Sequence, residues 1–190
     1  IRLSLVGSEM CIRDRSVVTH GGRTGLVGGG ASRLGQIVLS TRRLDRIVEI
    51  NTAAPLAVVE AGVTLQRLQE AAAEHGLTPG IDLAARGSAT IGGLIATNAG
   101  GIEAFRRGTM RHRVFGLEFL RADGTVVSDL VRVLKNNTGY DLKDLIAGSE
   151  GTLGIVTRAV IRLERLVPPA ATALIGCASA EAALVAAARL

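Results

Sequence analysis

Three short stretches of the sequence combine glycine with small hydroxyl residues, a composition suited to binding anions. They are HGGRTGLVGGG at 20–30, GSATIGGLIATNAGG at 87–101 and GSEGTLG at 148–154. Glycine permits φ > 0 and close approach of a ligand, and N–H groups bared in glycine-rich turns and helix starts form anion-binding concavities. A diphosphate would satisfy several such donors at once. Tight turns and close packing are the alternative use of these glycines, but three clusters together favour one extended polar ligand.

The familiar nucleotide-binding motifs are absent from the sequence. No G-x-x-x-x-G-K-[ST] run occurs, so there is no phosphate-loop lysine. No G-x-G-x-x-G follows a strand with an acidic residue about 20 positions further on. Kinase, GTPase and Rossmann interpretations are therefore excluded. We expect backbone amides to hold the diphosphate, helped by the hydroxyls of Thr24, Ser88, Thr90 and Thr97.

The composition limits the remaining function classes. With 190 residues, 47% of them hydrophobic, the chain can bury a core, and aromatic residues make up only 2%. The net charge of +5 comes from scattered arginines, since Lys135 and Lys143 are the only lysines. Without a basic stripe or an aromatic platform, a nucleic-acid partner is disfavoured. No apolar run approaches the roughly 18 residues of a membrane span. Cys11 and Cys177 form no disulfide framework, which favours a reducing compartment.

The elements that must position the three clusters follow from the hydrophobic pattern. Strands are predicted at 16–19, 36–40, 46–51, 56–60, 113–121, 125–129 and 152–163, with 113–129 forming a hairpin around Asp123-Gly124. A helix is predicted at 65–75, with Thr64 as its N-cap and Gly76 after its end. Another strand and then a helix capped by Ser179 are predicted after residue 170. Strands and helices do not alternate strictly, so the predicted class is α+β.

The N-terminal residues have a different character from the rest. SLVGSEMCIRDR at 4–15 has neither strand nor helix periodicity and lacks the features of a signal peptide. The codons CTC GTG GGC TCG GAG ATG TGT ATA AGA GAC of a common transposase sequencing adapter translate to LVGSEMCIRD. We therefore interpret residues 1–15 as a sequencing-adapter artefact. The natural sequence is then expected to start near Ser16, and the chain to be truncated at both ends.

The ordered motifs HGGRTGLVGGG, GIDLAARGSATIGGLIATNAGG and NNTGYDLKDLIAGSEGTLGIVT resemble the PCMH-type FAD-binding domain of the vanillyl-alcohol-oxidase-type flavoproteins. Within that family, they most resemble the branch of FAD-linked 2-hydroxyacid dehydrogenases, which act on 2-hydroxyglutarate, lactate or glycolate. The resemblance covers about residues 16–165. It implies an FAD-binding domain of two subdomains of sheet plus helices at 16–166, and the start of a C-terminal substrate or cap domain at 167–190.

The resemblance also implies which residues contact the cofactor. The first motif would wrap the FAD pyrophosphate, the second would run along the cofactor beside the flavin, and the third would approach the adenosine. Glu150 would accept from a ribose hydroxyl or brace its loop, the alternative being a capping carboxylate. The NNTGYD segment at 136–141 is interpreted as a turn that seats the next helix. The implied cofactor-binding residues are Gly21, Gly22, Arg23, Thr24, Gly25, Leu26, Asp82, Leu83, Gly87, Ser88, Ile91, Gly92, Gly93, Thr97, Asn98, Gly100, Gly101, Gly108, Glu150, Gly151 and Ile155.

The histidines are not expected to attach FAD or to bind metal. In covalent members of the superfamily the linking histidine follows the paired glycines, where this sequence has Arg23, so His20 is out of register. Non-covalent FAD is expected. His75 and His112 have no partner at metal-ligand spacing, and no metal site is expected.

The resemblance implies oxidation of a D-2-hydroxy acid to the 2-oxo acid by hydride transfer to FAD, with electrons passing to an acceptor protein or a quinone. No catalytic residue is assigned, since the family's acid–base and carboxylate-binding groups are expected beyond residue 190, so these residues alone are expected to be inactive. The alternative is a non-catalytic FAD-binding module or a subunit of a larger flavoprotein complex. A cytoplasmic location is expected, with peripheral association with the inner face of the membrane as a variant. The oligomeric state is left open.

Overall fold

The chain folds into sheets and helices, which confirms the predicted α+β class. The structure is a computed structural model that describes residues 15–167, 171 and 173–189. Its strands are β1 Val17–His20, β2 Ile37–Ser40, β3 Ile47–Asn51, β4 Leu56–Glu60, β5 Leu77–Thr78, β6 Val114–Leu120, β7 Val126–Asp129, β8 Ile155–Arg162 and β9 Glu164–Arg165. Its helices are α1 Leu65–Ala73, α2 Ile91–Ala96, α3 Ala104–Arg107, α4 Leu142–Ile146 and α5 Ala180–Ala187, and a 3₁₀ turn spans Met110–Arg113.

The main sheet of the described residues is antiparallel, with the strand order β3-β4-β8-β6-β7. The central strand β8 places Ala159 beside Val59 of β4 and Leu117 of β6. All five residues of β4 are buried, and its apolar run LAVV, followed by Glu60, is typical of an inner strand. The edge strand β7 is more exposed, with Val126 at 58%.

The core lies between one face of this sheet and helices α1 and α2. Leu68 of α1, Ile91 and Ile95 of α2 and Ile161 of β8 are at most 1% exposed. Helix α1 begins where predicted, with Thr64 Oγ1 accepting from the Arg67 amide at 3.3 Å. The core is therefore almost wholly aliphatic, as the composition requires.

A separate parallel pair positions the first glycine cluster. Strands β1 and β2 align His20 with Ser40. The carboxyl ends of parallel strands lie at the same edge, so the segment after His20 lies beside the segment after Ser40. The Thr41 amide, which donates to the His20 carbonyl at 3.0 Å, extends this pairing one step beyond the strands.

The observed element ends differ from the predicted ones where the backbone turns left-handed. The strand predicted from residue 152 begins only at Ile155, after a turn in which Glu150 and Gly151 have φ values of 52° and 80°. The predicted 113–129 hairpin is present, with φ of 83° at Gly124 in its turn. The strand predicted after residue 170 is wrong for the residues described there, which are irregular as far as the N-cap Ser179.

Residues 1–14 lie outside the described residues, so the adapter interpretation of residues 1–15 and the domain boundaries that follow from it stay predictions. Among the described helices, none combines the length and the apolar character that crossing a membrane requires.

Candidate functional site

The first and second glycine clusters meet in a cleft of about 580 Å³. Both contribute predicted cofactor-binding residues to its lining, namely Gly21, Gly22, Arg23, Gly87 and Ser88. The other residues that line it are His20, Ser40, Arg42, Asp45, Gly62, Thr64, Arg67 and Thr90. The parallel β1–β2 pair supplies one wall of the cleft, and the starts of α1 and α2 supply the other.

Two glycines of the first cluster approach the second cluster so closely that no side chain fits between them. A Cβ atom added to Gly22 would lie 1.9 Å from the Ser88 carbonyl oxygen. A Cβ atom added to Gly21 would lie 2.4 Å from Thr90 Oγ1. The paired glycines are therefore required by this wall-to-wall contact, and their backbone is what the cleft presents.

The hydrogen-bond donors of this backbone are available to a ligand. Among the described residues, the amides of Gly21, Gly22 and Arg23 donate to no protein acceptor. The His20 Nε2 atom, at the start of the same loop, is buried and has no partner among those residues. Such unpaired polar groups in a cleft are the arrangement that a bound anion would complete.

The first amides of helices α1 and α2 are paired within the protein. At the start of α1, the Leu65 amide donates to the Ala89 carbonyl at 2.9 Å. At the start of α2, the Ile91 amide donates to the Val63 carbonyl at 2.8 Å. The first amide of each helix thus donates to a carbonyl in the segment that leads into the other helix. Donors to a ligand are left to the turn at 21–23.

The four hydroxyls that were expected to help hold a diphosphate divide into two pairs. Thr90 Oγ1 accepts from the Gly93 amide at 3.4 Å, and Thr97 Oγ1 donates to the Gly93 carbonyl at 3.0 Å, so both serve helix α2. The hydroxyls of Thr24 and Ser88 have no hydrogen bond within the described part of the chain, and Ser88 lines the cleft. Of the four, Ser88 is best placed to contact a ligand.

The contributions of the end of β2 and of the segments after β2 and β4 were not predicted from the sequence. Ser40, Arg42 and Asp45 come from β2 and the segment after it, and Gly62, Thr64 and Arg67 from the segment after β4. Thr64 was recognised only as a helix cap. The polar run STRRLD directly after a predicted strand was a usable signal, but it places Arg42 in the cleft only once β2 is known to pair with β1 in parallel.

Ion pairs fix the outer wall of the cleft. Arg67 Nη1 lies 3.6 Å from Asp45 Oδ2 and donates to the Asp45 carbonyl at 2.6 Å. Just before this wall, Glu60 is 3% exposed and accepts from Arg46 Nη2 at 2.7 Å and from the Arg46 amide at 3.0 Å. Hydrogen bonds from Arg46 hold the pKa of Glu60 below its ordinary value despite burial. This pairing fastens β3 to the end of β4, from which Gly62 and Thr64 enter the cleft.

The third glycine cluster contacts the opposite end of α2. The amides of Gly148 and Glu150 donate to the carbonyls of Ile95 and Ala96 at 3.0 and 2.8 Å. The Glu150 carboxylate extends back to the first cluster, since a Cβ atom on Gly29 would lie 2.6 Å from Glu150 Oε2. Helix α2 has six residues, so its two ends are only about 9 Å apart. The first and third clusters therefore lie near the two ends of one short helix that belongs to the second cluster.

Each cluster also contains one residue in the left-handed region that is not glycine. Arg23, Asn98 and Glu150 have φ values of 55°, 50° and 52°, and no other non-glycine residue in the described ranges has positive φ. This conformation is uncommon for residues with a Cβ atom and clusters at functional sites. Asn98 is held there by its Oδ1 atom, which accepts from the Arg111 amide at 2.9 Å. All three residues are among the predicted cofactor contacts.

The remaining predicted contacts lie outside the lining of the cleft and stay predictions. Some of them pack against each other: a Cβ atom on Gly101 would lie 2.0 Å from the Asp82 carbonyl oxygen. Others face solvent, as Leu26 does at 99% exposure. The predicted residues outside the lining are Thr24, Gly25, Leu26, Asp82, Leu83, Ile91, Gly92, Gly93, Thr97, Asn98, Gly100, Gly101, Gly108, Glu150, Gly151 and Ile155.

The histidines far from the cleft do not assemble a metal centre in the described part of the chain. There, no group of three or more His, Cys, Asp or Glu side chains is arranged to hold a metal ion. His112 instead accepts from the Thr109 amide through Nδ1 at 3.2 Å and so caps the 3₁₀ turn.

Comparison with known proteins finds a matching family and similar proteins. Residues 6–129 match the family described as FAD binding domain. The chain is 44% identical over 164 residues to D-2-hydroxyglutarate dehydrogenase of Xanthomonas citri pv. viticola, covering 86% of this chain and 35% of that protein. It is 42% identical to the mitochondrial D-2-hydroxyglutarate dehydrogenase of Bos taurus, covering 87% and 30%. It is 44% identical to D-lactate dehydrogenase of Archaeoglobus fulgidus, covering 77% and 33%.

A solved structure of alkyldihydroxyacetonephosphate synthase shares the fold, with a TM-score of 0.68 and 24% identity over 80% of this chain and 28% of that one. The chain thus spans about a third of the length of the curated relatives that it matches. The family match covers most of the chain and includes the first two glycine clusters. The chain belongs to the FAD-binding domain family.

Proposed function

We propose that this chain forms the FAD-holding part of a D-2-hydroxyacid dehydrogenase and that it binds FAD without a covalent link. The observation that carries the proposal is the cleft at Gly21–Arg23, where unpaired backbone amides are presented across from Ser88. A diphosphate is the part of FAD that such a donor set suits.

The residues of this chain fit the cofactor on three independent points. Gly21 and Gly22 leave no room for side chains, so a ligand can approach their amides directly. Arginines at positions 23, 42 and 67 outnumber Asp45 in the lining, which favours an anion. The left-handed residues Asn98 and Glu150 lie at the far end of α2, within the reach of a dinucleotide that starts at the cleft.

In this proposal, the role of the chain is to position the cofactor. When bound, FAD supplies the acceptor for the hydride that leaves the α-carbon of the substrate. The turn at 21–23 would orient the diphosphate, and the clusters at 98–101 and 148–151 would fix the rest of the cofactor. We assign no acid–base group to this chain.

The substrate class follows from the relatives rather than from the fold. The fold also occurs in a synthase, so it does not select a reaction. Sequence identities of 42–44% to dehydrogenases of D-2-hydroxyglutarate and D-lactate favour a D-2-hydroxy acid, oxidised to the 2-oxo acid. The corresponding partners would be an acceptor protein or a quinone. We propose a cytoplasmic location.

Cofactor binding can be tested on the 190-residue chain itself. Titration with FAD should quench or shift the flavin fluorescence, and acid precipitation should release the flavin into the supernatant, as expected for non-covalent binding. Failure of the folded chain to bind FAD would refute the proposal.

The reaction requires the gene product that contains these residues. Its bound flavin should bleach anaerobically with D-2-hydroxyglutarate, D-lactate or glycolate, but not with L-2-hydroxyglutarate or L-lactate as controls. Flavin binding with no bleaching by any 2-hydroxy acid would favour the non-catalytic FAD-binding module instead.

A further inference from the structure

We propose that Arg42 binds the diphosphate of the cofactor as a charged contact, an inference that rests on the FAD-binding function proposed above. The sequence predicted a diphosphate held without lysine, by backbone amides and hydroxyls, and the family resemblance placed Arg23 against the phosphates. The structure adds a second arginine to the same lining.

The strand pairing determines the position of Arg42. It comes two residues after Ser40, which pairs with His20 in the parallel β1–β2 ladder. The Thr41 amide donates to the His20 carbonyl, so residue 42 starts its own segment beside the turn at 21–23. Arg42 therefore lies at the carboxyl edge of the pair, next to the unpaired amides.

Some charged side chains of the cleft are paired with each other, and others have no partner among the described residues. Asp45 is paired with Arg67, so this arginine is already neutralised locally. Arg42 makes no ion pair within the described residues, and its one hydrogen bond there joins its backbone amide to Ser40 Oγ at 3.4 Å. Arg23 likewise has no carboxylate partner in those residues. The cleft thus has two arginines, 23 and 42, whose guanidinium groups are not engaged by the protein.

A diphosphate that bridges two alcohols carries one negative charge on each phosphate, which matches these two uncommitted cations. Arginine suits the task because its planar fork can donate two parallel hydrogen bonds to phosphate oxygens. Arg23 follows β1 and Arg42 follows β2, so in this proposal each arginine binds one phosphate. The turn amides then fix geometry, while the arginines balance charge.

The test compares Arg42→Gln with Arg43→Gln in the full chain. Arg43 is the adjacent residue along the chain, is exposed and carries the same charge, but does not line the cleft. Dissociation constants are measured by calorimetry for FAD, for ADP, which has the diphosphate without the flavin, and for riboflavin, which has the flavin without the diphosphate. Circular dichroism confirms that each variant is folded.

We expect Arg42→Gln to weaken the binding of FAD and ADP by about tenfold, as loss of one charge-assisted hydrogen bond implies. The FAD and ADP affinities of Arg42→Lys should lie between those of Arg42→Gln and the wild type, since lysine keeps the charge but loses the planar guanidinium. Arg43→Gln should change each constant by less than about twofold, and riboflavin binding should be the same in all variants. The difference between Arg42→Gln and the wild type should shrink in high salt.

Equal affinity of Arg42→Gln and Arg43→Gln for FAD and ADP would overturn the assignment while leaving FAD binding intact. A parallel loss of riboflavin binding in Arg42→Gln would also overturn it, because the effect would then not arise at the diphosphate. If the wild-type chain bound neither FAD nor ADP, the proposed function would fail and the role of Arg42 with it.

Discussion

The antiparallel sheet and the three glycine clusters use their backbone in opposite ways. In the sheet, all five residues of β4 pair with residues of β8, and side chains such as Val59 and Ala159 are completely buried. In the clusters, the turn at 21–23 leaves its amides unpaired, and the left-handed residues that are not glycine all occur there. The packed sheet stabilises the fold, and this stability allows the clusters to hold strained backbone conformations that a ligand can use.

This difference between the sheet and the clusters predicts that stability and ligand affinity can be changed separately. Ile161 is 1% exposed on the central strand, so Ile161→Ala should lower the free energy of unfolding by about 2–5 kcal/mol. Val126→Ala, on the exposed edge strand β7, is the control and should cost less than about 0.5 kcal/mol. Urea unfolding measures both.

At a temperature where the Ile161→Ala variant is folded, its FAD affinity should equal that of the wild type. An affinity loss as large as the stability loss would show that the sheet and the clusters are one cooperative unit with respect to the ligand.

The second prediction concerns the turn itself. Gly22→Ala places a Cβ atom 1.9 Å from the Ser88 carbonyl, which must separate the two walls of the cleft and should weaken FAD binding by about 100-fold. Gly30→Ala, in the same glycine cluster, is the matched control, because a Cβ atom there meets no atom within 4 Å and its φ is not positive. Titration with FAD should find it within about twofold of the wild type. Equal effects of the two substitutions would contradict the cleft geometry.

Much of this architecture could be predicted from the sequence where local pattern decides. The run LAVVE indicated a strand, and the Leu65, Leu68 and Ala72 stripe indicated α1 with its cap. The three clusters were evident from glycine content alone, and their order supported the family resemblance. The strand predicted at 152–163 was too long at its start, since the observed strand begins at Ile155.

The rest depended on non-local pairing. No local pattern shows that β2 joins β1 in parallel, so the place of Arg42 in the cleft was not predictable. Nor does a local pattern show that the amides at the starts of α1 and α2 are consumed by the carbonyls of Ala89 and Val63. In both cases, a segment distant in sequence decides whether a polar group is free.

The third prediction separates charge from backbone at Arg23, which has φ of 55°. Arg23→Gly and Arg23→Ala both remove the guanidinium, so both should weaken FAD binding by about tenfold. Only glycine relieves the left-handed strain, which is worth about 1 kcal/mol and is partly offset by the entropy of the unfolded chain. The free energy of unfolding of Arg23→Gly should therefore match or exceed that of Arg23→Ala. A glycine variant less stable than the alanine variant would contradict the observed backbone conformation.

The smallest expected effect links the two regions through Glu60, which ends β4 in the sheet and precedes the Gly62 wall of the cleft. The Arg46 guanidinium holds the pKa of Glu60 below its ordinary value of 4.5. Its stabilising contribution is therefore complete above that value and is lost as the pH falls through the lower folded pKa. The stability advantage of the wild type over Glu60→Gln should accordingly be constant at neutral pH and shrink below about pH 4.5.

Urea unfolding at several pH values measures this difference, with Glu74→Gln as a control at an exposed carboxylate that has no ion pair among the described residues. Because Glu60 also fixes the segment that carries Gly62 and Thr64, FAD affinity should decline over the same pH range in the wild type and much less steeply in Glu60→Gln. If stability followed this pH dependence but affinity did not, the cleft wall would be held independently of the sheet edge. The sheet and the cleft would then be independent of each other even at β4, the strand that connects them.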